Sequence, residues 1–159
     1  MSDLGAQLAL KPGDAKGLQV AAVVASFNHA FTSKLLRSAS ARLKALGGAF
    51  AVVESVPGAL ELPLAAQWLA ASGRYDAVVV LGCVIRGDTS HYDLVCEGAM
   101  QGSLRASQST GVPVIFGVIT TEDKAQALAR CNGGPKDAGK HAAEAAVHMA
   151  RLRRRLKER

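Results

Sequence analysis

Residues 76–85 read DAVVVLGCVI, an apolar run in which no charged residue follows Asp76. Alternation of apolar and polar residues indicates a strand with one face in solvent, whereas an unbroken apolar run is typical of a parallel strand covered on both faces. The run therefore predicts a central strand of a parallel sheet that lies between two layers of helices.

The segments on either side repeat an alternation of strand and helix patterns. Strands are predicted at 19–25, 50–56, 76–85 and 112–119, and helices at 32–46, 60–71, from about 91 to 110, at 121–130 and after 139. Because each strand precedes a helix, the connections are crossovers and the strands run parallel. The predicted fold class is α/β, a three-layer sandwich with a four-stranded parallel sheet flanked by helices. The 159 residues divide into an N-terminal arm, 1–18, and one domain, 19–159.

Charge and cysteine content limit the class of protein. The formal net charge is +6, but the segment 151–159 carries most of it, which argues against a nucleic-acid surface spread over the fold. The three cysteines form no CxxC pair, as in proteins of a reducing compartment, and no run reaches the ~18 apolar residues of a membrane helix. We expect a cytoplasmic protein that binds neither nucleic acid nor membrane.

The segment 134–140, GPKDAGK, has the spacing of a phosphate-binding P-loop but lacks its context. His141 stands where Ser or Thr would hold magnesium, and the motif follows a helix instead of a strand. No GxGxxG, HExxH or GxSxG motif and no metal-spaced Cys/His cluster occurs in the sequence. Dinucleotide, zinc and serine-hydrolase sites therefore lack their usual support in this sequence.

Ligands of open parallel sheets bind beyond the carboxyl ends of the strands, which selects the loops 27–29, 57–59, 86–91 and 120–121. In the loop 87–91, backbone amides at the start of a long helix form an anion site, and Thr89 and Ser90 supply hydroxyls. His91, in the first turn of that helix, is a candidate proton-transfer group. The alternative is that these residues are ordinary helix caps and that His91 is a solvated surface residue.

Three other residues allow two interpretations each. Phe27 either stacks on a planar heterocycle or packs the first helix against the sheet. Glu61 is either an acid of a helix's first turn or an anchor for ligand hydroxyls. Arg130 either offsets the dipole at the end of the fourth helix or binds a phosphate through two hydrogen bonds.

Three stretches of the chain resemble the signature segments of the lumazine synthase family. They are PGALELP at 57–63, LGCVIRGDTSHYD at 81–93 and GVPVIFGVITT at 111–121, in the family's order. The similarity runs from about residue 19 to residue 152. It implies a flavodoxin-like sheet of four parallel strands, with the N-terminal segment adding a strand to a neighbouring subunit.

The resemblance also implies a reaction. The family condenses 5-amino-6-(D-ribitylamino)uracil with 3,4-dihydroxy-2-butanone 4-phosphate to 6,7-dimethyl-8-ribityllumazine, with release of phosphate and water, in riboflavin biosynthesis. The reaction uses no metal or cofactor. Riboflavin synthase is a candidate partner.

The resemblance assigns the pyrimidine substrate to the first three strand ends. Phe27 would stack on the ring, and main-chain groups would hold its edge, namely those of Cys83, Val84 and Ile85. The ribityl side would be lined by Ala59, Leu60 and Glu61, with Glu61 bonding the hydroxyls.

The phosphate and the proton transfers are assigned to the loop after the third strand. Gly87, Asp88 and Thr89 would cradle the phosphate, and His91 matches the family's proton-transfer residue.

The remaining assignments fall on an adjacent subunit of a homo-oligomer. Its Phe116 would close the pocket, its Arg130 would bind the phosphate, and its Lys140 matches a basic position nearby. The loop that follows Arg130 is about two residues longer than the short form of the family, which favours a homopentamer over an icosahedral capsid. Two alternatives to the enzyme are a family member that binds ligand without turnover, and an RNA-binding or scaffold role for the basic tail.

Overall fold

A computed structural model describes residues 8–159. Residues 1–7, the first part of the predicted arm and of the strand that it would add to a neighbour, lie outside the described residues.

The described chain forms four strands and five α-helices in alternation. The strands are β1 Val20–Ala25, β2 Phe50–Val56, β3 Ala77–Ile85 and β4 Val114–Thr121. The helices are α1 His29–Ala45, α2 Leu62–Ala71, α3 His91–Thr110, α4 Lys124–Ala129 and α5 Ala138–Lys157. A short 3-10 turn, Ala59–Glu61, precedes α2.

All strand pairs are parallel, and the sheet order is β2-β1-β3-β4. The predicted four-stranded parallel sheet is confirmed, and the run at 76–85 is its longest strand, buried through Cys83. β3 lies between β1 and β4 in the sheet. Because a helix layer covers each of its faces, its side chains have to be apolar throughout.

Two apolar layers sandwich the sheet. On one face α1 and α5 pack through Leu35, Leu43 and Val147 against residues such as Val79 and Leu81. On the other face α2 and α3 cover Val78 and Val80, with Leu62 and Ala99 among the buried contacts. The chain thus switches faces between β1, which leads into α1, and β3, which leads into α3.

The start of α5 approaches α1 closely because a glycine stands at the contact. A Cβ at Gly139 would collide with the backbone carbonyl of Leu35, so only glycine allows this approach. The rest of the α5 face is made of small side chains, Ala142, Ala143 and Ala146, which extend the close packing.

The segment before β1 and the last turns of α5 both lie at the end of the sheet where the strands begin. Ala15 and Leu18 are buried in the core, and the N–H of Ala15 donates to the carbonyl of Leu46 at 2.9 Å. In the basic tail, Arg151 pairs with Asp14 at 3.0 Å and Arg154 with Asp76 at 2.7 Å. The tail is therefore partly a structural ion-pair element and not only a solvated helix end.

Several element boundaries differ from the sequence prediction by one to three residues, and three of the differences have a local reason. α1 begins three residues before Thr32 because the carbonyl of Asn28 already accepts from the N–H of Phe31 at 2.9 Å. β4 begins after Pro113, which has no N–H for a ladder. α4 begins only at Lys124 because the Asp123 carboxylate caps it, accepting from the N–H of Gln126 at 2.8 Å.

Within residues 8–159, none of the helices combines the length and apolarity that a bilayer crossing requires.

Candidate active site

The third strand extends past its neighbour at the carboxyl edge of the sheet. Pairing between β1 and β3 ends at Leu81, whereas β3 continues to Ile85 against β4. Backbone groups of residues 82–85 that point toward β1 therefore have no strand partner. This overhang lies where the chain switches faces of the sheet, which is the place where open α/β sheets bind ligands.

A cavity of about 550 Å³ opens beside the overhang. That volume lies within the range of about 300–1,000 Å³ found for small-molecule sites. Ten of the residues predicted from the sequence line it: Phe27, Ala59, Leu60, Glu61, Cys83, Val84, Ile85, Gly87, Thr89 and His91. The structure thus brings the ends of the first three strands together around one space.

Phe27 stands at the mouth of the cavity. Its side chain is 72% exposed, so in this chain it does not pack the first helix against the sheet. Its backbone is fixed, because its N–H donates to the carbonyl of Pro57 at 2.9 Å. An exposed aromatic ring on a fixed backbone beside a cavity is suited to stack on a planar ligand.

Asn28 ties the loop after β1 to β3. Its side-chain Nδ2 donates to the carbonyl of Cys83 at 2.8 Å. Its φ of 59° is left-handed, the sole positive value among the non-glycine residues of 8–159. Asparagine tolerates this conformation better than most residues. The bond also engages one of the Cys83 main-chain groups that the sequence analysis assigned to the ligand.

Glu61 holds the turn after β2 and faces the cavity. Its Oε2 accepts from the N–H of Gly58 at 2.9 Å, and both residues line the cavity. The carboxylate thus caps the 3-10 turn and presents its remaining acceptor capacity to the cavity. Both interpretations made for Glu61 are compatible with this geometry.

The loop after β3 presents a row of backbone donors. Among residues 8–159, the N–H groups of Gly87, Asp88 and Thr89 have no hydrogen-bond partner. They precede α3, a helix of 20 residues, whose dipole favours an anion at this end. Gly87 and Thr89 line the cavity, whereas Asp88 is exposed beside it. The arrangement can bind a phosphate.

His91 is the first residue of α3 and is exposed to the cavity. Its backbone N–H donates to Oγ1 of Thr89 at 3.3 Å, which links the histidine to the loop of free donors. The imidazole therefore lies beside the anion site, where a proton donor or acceptor could reach a bound phosphorylated ligand.

The thiol of Cys83 is not a nucleophile in this site. Burial, together with the neighbouring Cys131, raises the pKa of Cys83 to about 12. A thiol with that pKa is protonated at neutral pH, and the protonated form reacts poorly. Cys83 contributes its backbone and its volume.

The cavity lacks a cation of its own. Its sixteen lining residues include one acid, Glu61, and one histidine, but no Lys or Arg from the described part of the chain. Arg86 directly follows β3, yet its guanidinium pairs with Glu122 at 2.7 Å and Asp93 at 3.4 Å and lies 4.2 Å from the Tyr92 ring. A dianionic ligand here would meet no Lys or Arg side chain among the lining residues of 8–159.

The three residues that the sequence analysis assigned to a neighbour lie away from this cavity. Phe116 is exposed on the edge strand β4, and Arg130 follows α4, where its Nη1 donates to the carbonyl of Gln126 at 3.2 Å. That bond is the helix-end role foreseen for Arg130. Lys140 lines a second groove, with Lys34 and Arg37. The single chain does not unite these residues with His91.

Six of the lining residues were not among the predicted site residues, and two of these six have polar side chains, Asn28 and Tyr92. Asn28 could have been found from its place between a strand and a helix, where asparagine often takes a left-handed conformation. Tyr92 follows His91, and burial raises the pKa of its hydroxyl, although no sequence pattern separates it from the helix surface.

Comparison with known proteins places the chain beside one family. The family model described as 6,7-dimethyl-8-ribityllumazine synthase matches residues 17–154. The 6,7-dimethyl-8-ribityllumazine synthase of Thermococcus gammatolerans is 46% identical to this chain over 143 residues, which cover 90% of this chain and 92% of the relative.

Proposed function

The chain belongs to the 6,7-dimethyl-8-ribityllumazine synthase family and is an enzyme of riboflavin biosynthesis, and from this premise we propose how its residues carry out the reaction. The enzyme condenses 5-amino-6-(D-ribitylamino)uracil with 3,4-dihydroxy-2-butanone 4-phosphate. The products are 6,7-dimethyl-8-ribityllumazine, phosphate and water. The observation that carries the proposal is the cavity between Phe27, Glu61 and His91, with free backbone donors beside it and no Lys or Arg among its lining residues in the described part of the chain.

The pyrimidine substrate binds at the overhang of β3. Phe27 covers one face of the ring, and the main-chain groups at the end of β3 that face away from β4 hold its polar edge. The ribityl chain extends past Ala59 and Leu60, where the carboxylate of Glu61 accepts hydrogen bonds from its hydroxyls. Asn28 already engages the Cys83 carbonyl. Because the main-chain groups of Val84 face β4, those of Ile85 and the N–H of Cys83 supply most of the main-chain recognition.

The phosphate of the second substrate binds at the start of α3. The N–H groups of Gly87, Asp88 and Thr89 donate to it, and the helix dipole adds to the attraction. The carboxylate of Asp88 takes no part, since it repels an anion and the side chain lies outside the cavity.

Much of the acceleration comes from holding the two substrates together. The amine of the pyrimidine attacks the ketone carbon, a step that needs proximity more than a strong catalyst. Loss of water from the adduct, elimination of phosphate and closure of the ring each require that a proton be moved. His91 performs these transfers because it lies beside the phosphate site and is open to the cavity.

The cation for the phosphate comes from a second copy of the chain. A phosphate that bears two charges, held by backbone donors alone, lacks the charged partner that such sites normally use. Arg130 of an adjacent subunit supplies it, Phe116 of that subunit closes the cavity, and Lys140 adds positive charge nearby. This assignment explains why all three lie apart from the cavity of their own chain.

A homo-oligomer is supported by apolar side chains exposed on the described surface. Trp68 and Leu64 on α2 and Leu94 and Leu104 on α3 are each more than half exposed. Such a patch on the helix layer over the α2–α3 face is typical of an interface. We assign a homopentamer, because the loop at 131–137 is enlarged, and a cytoplasmic location, because all three cysteines are free thiols.

Purified protein mixed with both substrates tests the function through the fluorescence of the lumazine product. The proposal requires a rate well above the spontaneous condensation under the same conditions. Ligand binding at the spontaneous rate would instead identify a family member that binds without turnover.

A further inference from the structure

Asp137 is a fully buried carboxylate outside the cavity. It is 0% exposed and accepts three hydrogen bonds. The hydroxyl of Ser38 donates to it at 2.8 Å, the N–H of Gly133 at 2.6 Å and the N–H of Lys140 at 3.0 Å. A buried carboxylate is stable only where such donors replace water.

The three donors come from three parts of the molecule. Ser38 belongs to α1, Gly133 to the loop between α4 and α5, and Lys140 to the first turn of α5. One side chain therefore fixes that loop and the start of α5 to the sheet-bound helix α1. The Gly139 contact with Leu35 beside it leaves the start of α5 little freedom to shift.

The same loop sets the position of Arg130. The N–H of Ala138, the residue after Asp137, donates to the carbonyl of Arg130 at 2.8 Å. Cys131, which follows Arg130, is buried, so the backbone on that side is held as well. A displacement of Asp137 would therefore act on the Arg130 backbone through the bond from Ala138.

We propose that Asp137 is a positioning residue that orients Arg130 toward the phosphate of the substrate bound to the adjacent subunit. The inference rests on the proposed role of Arg130. Asp137 touches no substrate; it acts by fixing the backbone from which the guanidinium reaches out. Bidentate phosphate contacts are sensitive to such displacement, since a shift of about 1 Å can cost ~100-fold in rate.

The test is a graded series of variants assayed with both substrates. Asp137→Ala removes all three acceptor contacts, Asp137→Asn keeps some of them, and Ser38→Ala removes one donor. We expect the KM for the butanone phosphate to rise about tenfold in Asp137→Ala and about twofold in Ser38→Ala, with a rise smaller than tenfold in Asp137→Asn. The KM for the pyrimidine and the kcat stay within about twofold of the parent values. If Asp137→Ala does not fold, the other two variants carry the test.

Asp76→Asn is the matched control for lost stability. Asp76 also accepts three hydrogen bonds, from the N–H of Gln19 and from two nitrogens of Arg154, but at the opposite edge of the sheet. The variant should lower the melting temperature and leave the KM for the phosphorylated substrate unchanged. If Asp76→Asn raised the KM for the butanone phosphate as much as an Asp137 variant with the same loss of melting temperature, the positioning role would be overturned.

The Arg130→Ala background separates this inference from the proposed function. If Asp137 acts through Arg130, adding Asp137→Asn to Arg130→Ala raises the KM little further. An unchanged KM in Arg130→Ala alone would refute the proposed role of Arg130. A raised KM in Arg130→Ala together with parental values in the Asp137 variants would refute only the positioning role.

Discussion

The strand-end cavity and the far edge of the sheet, formed by β4 and the start of the loop after α4, hold most of the predicted site residues between them. The cavity gathers residues from three strand ends, with Glu61 and His91 as its ionisable side chains besides Cys83 and Tyr92, and it lacks Lys and Arg in the described chain. The far edge holds Phe116 and Arg130, exposed or half-exposed and away from any cavity that contains His91. The difference supports the proposal that one chain carries two complementary half-sites, each of which would meet its counterpart on another copy.

Arg130→Ala removes the cation from the far edge and should have the largest effect. A bidentate charged contact contributes about 1.5–3 kcal/mol, which corresponds to a rise of about 10- to 150-fold in the KM for the butanone phosphate. Steady-state kinetics with the pyrimidine at saturation measures it. Arg74→Ala is the control, because Arg74 is exposed near the start of β3 and lies 5.5 Å from the Tyr75 ring. An unchanged KM in Arg130→Ala would mean that the guanidinium does not reach the phosphate.

His91→Ala removes the proton-transfer group from the cavity. We expect kcat to fall about 10- to 100-fold, less than a full general acid–base contribution, because the condensation proceeds partly unaided. His29→Ala is the matched control, since His29 also begins a helix at this edge and is exposed but does not line the cavity. Equal kcat values in the two variants would remove His91 from the proton transfers.

Glu61→Gln tests whether the cavity binds the pyrimidine substrate through the Glu61 carboxylate. Glutamine keeps an acceptor for the Gly58 N–H but loses the charge that strengthens bonds from ribityl hydroxyls. The KM for the pyrimidine should rise about 2- to 10-fold while that for the butanone phosphate stays constant. Glu97→Gln, on the exposed surface of α3, serves as the control. A change confined to the butanone phosphate would contradict the placement of the two substrates.

Cys83→Ala should have the smallest effect on catalysis and a visible one on stability at high pH. Burial raises the pKa of the Cys83 thiol from 9.0 to about 12, so the folded state favours the protonated thiol. This contribution to stability is complete below pH 9 and is lost as the pH rises toward 12. Denaturant titrations across this range should show a shallower decline for the variant than for the parent.

Cys96→Ala provides the comparison for that experiment, because Cys96 is only partly buried and its thiol pKa is also raised mainly by burial. Activity of Cys83→Ala at neutral pH should stay within about twofold of the parent value. A large loss of kcat there would show that the thiol takes part in the reaction.

Much of the fold could be predicted from sequence because β3 lies between two helix layers and can tolerate only apolar residues. The same physics located the site, since parallel strands place their loops at one edge. The first and last residues of the helices were harder to predict. The start of α1 depends on the left-handed turn at Asn28, and the start of α4 depends on the Asp123 cap. The Asn28–Cys83 and Ser38–Asp137 bonds span 55 and 99 residues and leave no local pattern.

The interpretations left open for Phe27 and Arg130 depended on tertiary exposure, which one sequence does not encode locally. Phe27 is exposed at the cavity, whereas the guanidinium of Arg130 donates to the Gln126 carbonyl at its own helix end. The second half of the site therefore stays a prediction that requires a partner copy.

Co-expression of His91→Ala and Arg130→Ala subunits tests the shared site most directly. In a mixed ring, about one quarter of the junctions pair an intact His91 with an intact Arg130 of the next subunit. At a butanone phosphate concentration far below the KM of Arg130→Ala, the mixture should regain about a quarter of parental activity. Activity no greater than the mean of the two variants, in assemblies that mass spectrometry shows to be mixed, would contradict a site built from two chains.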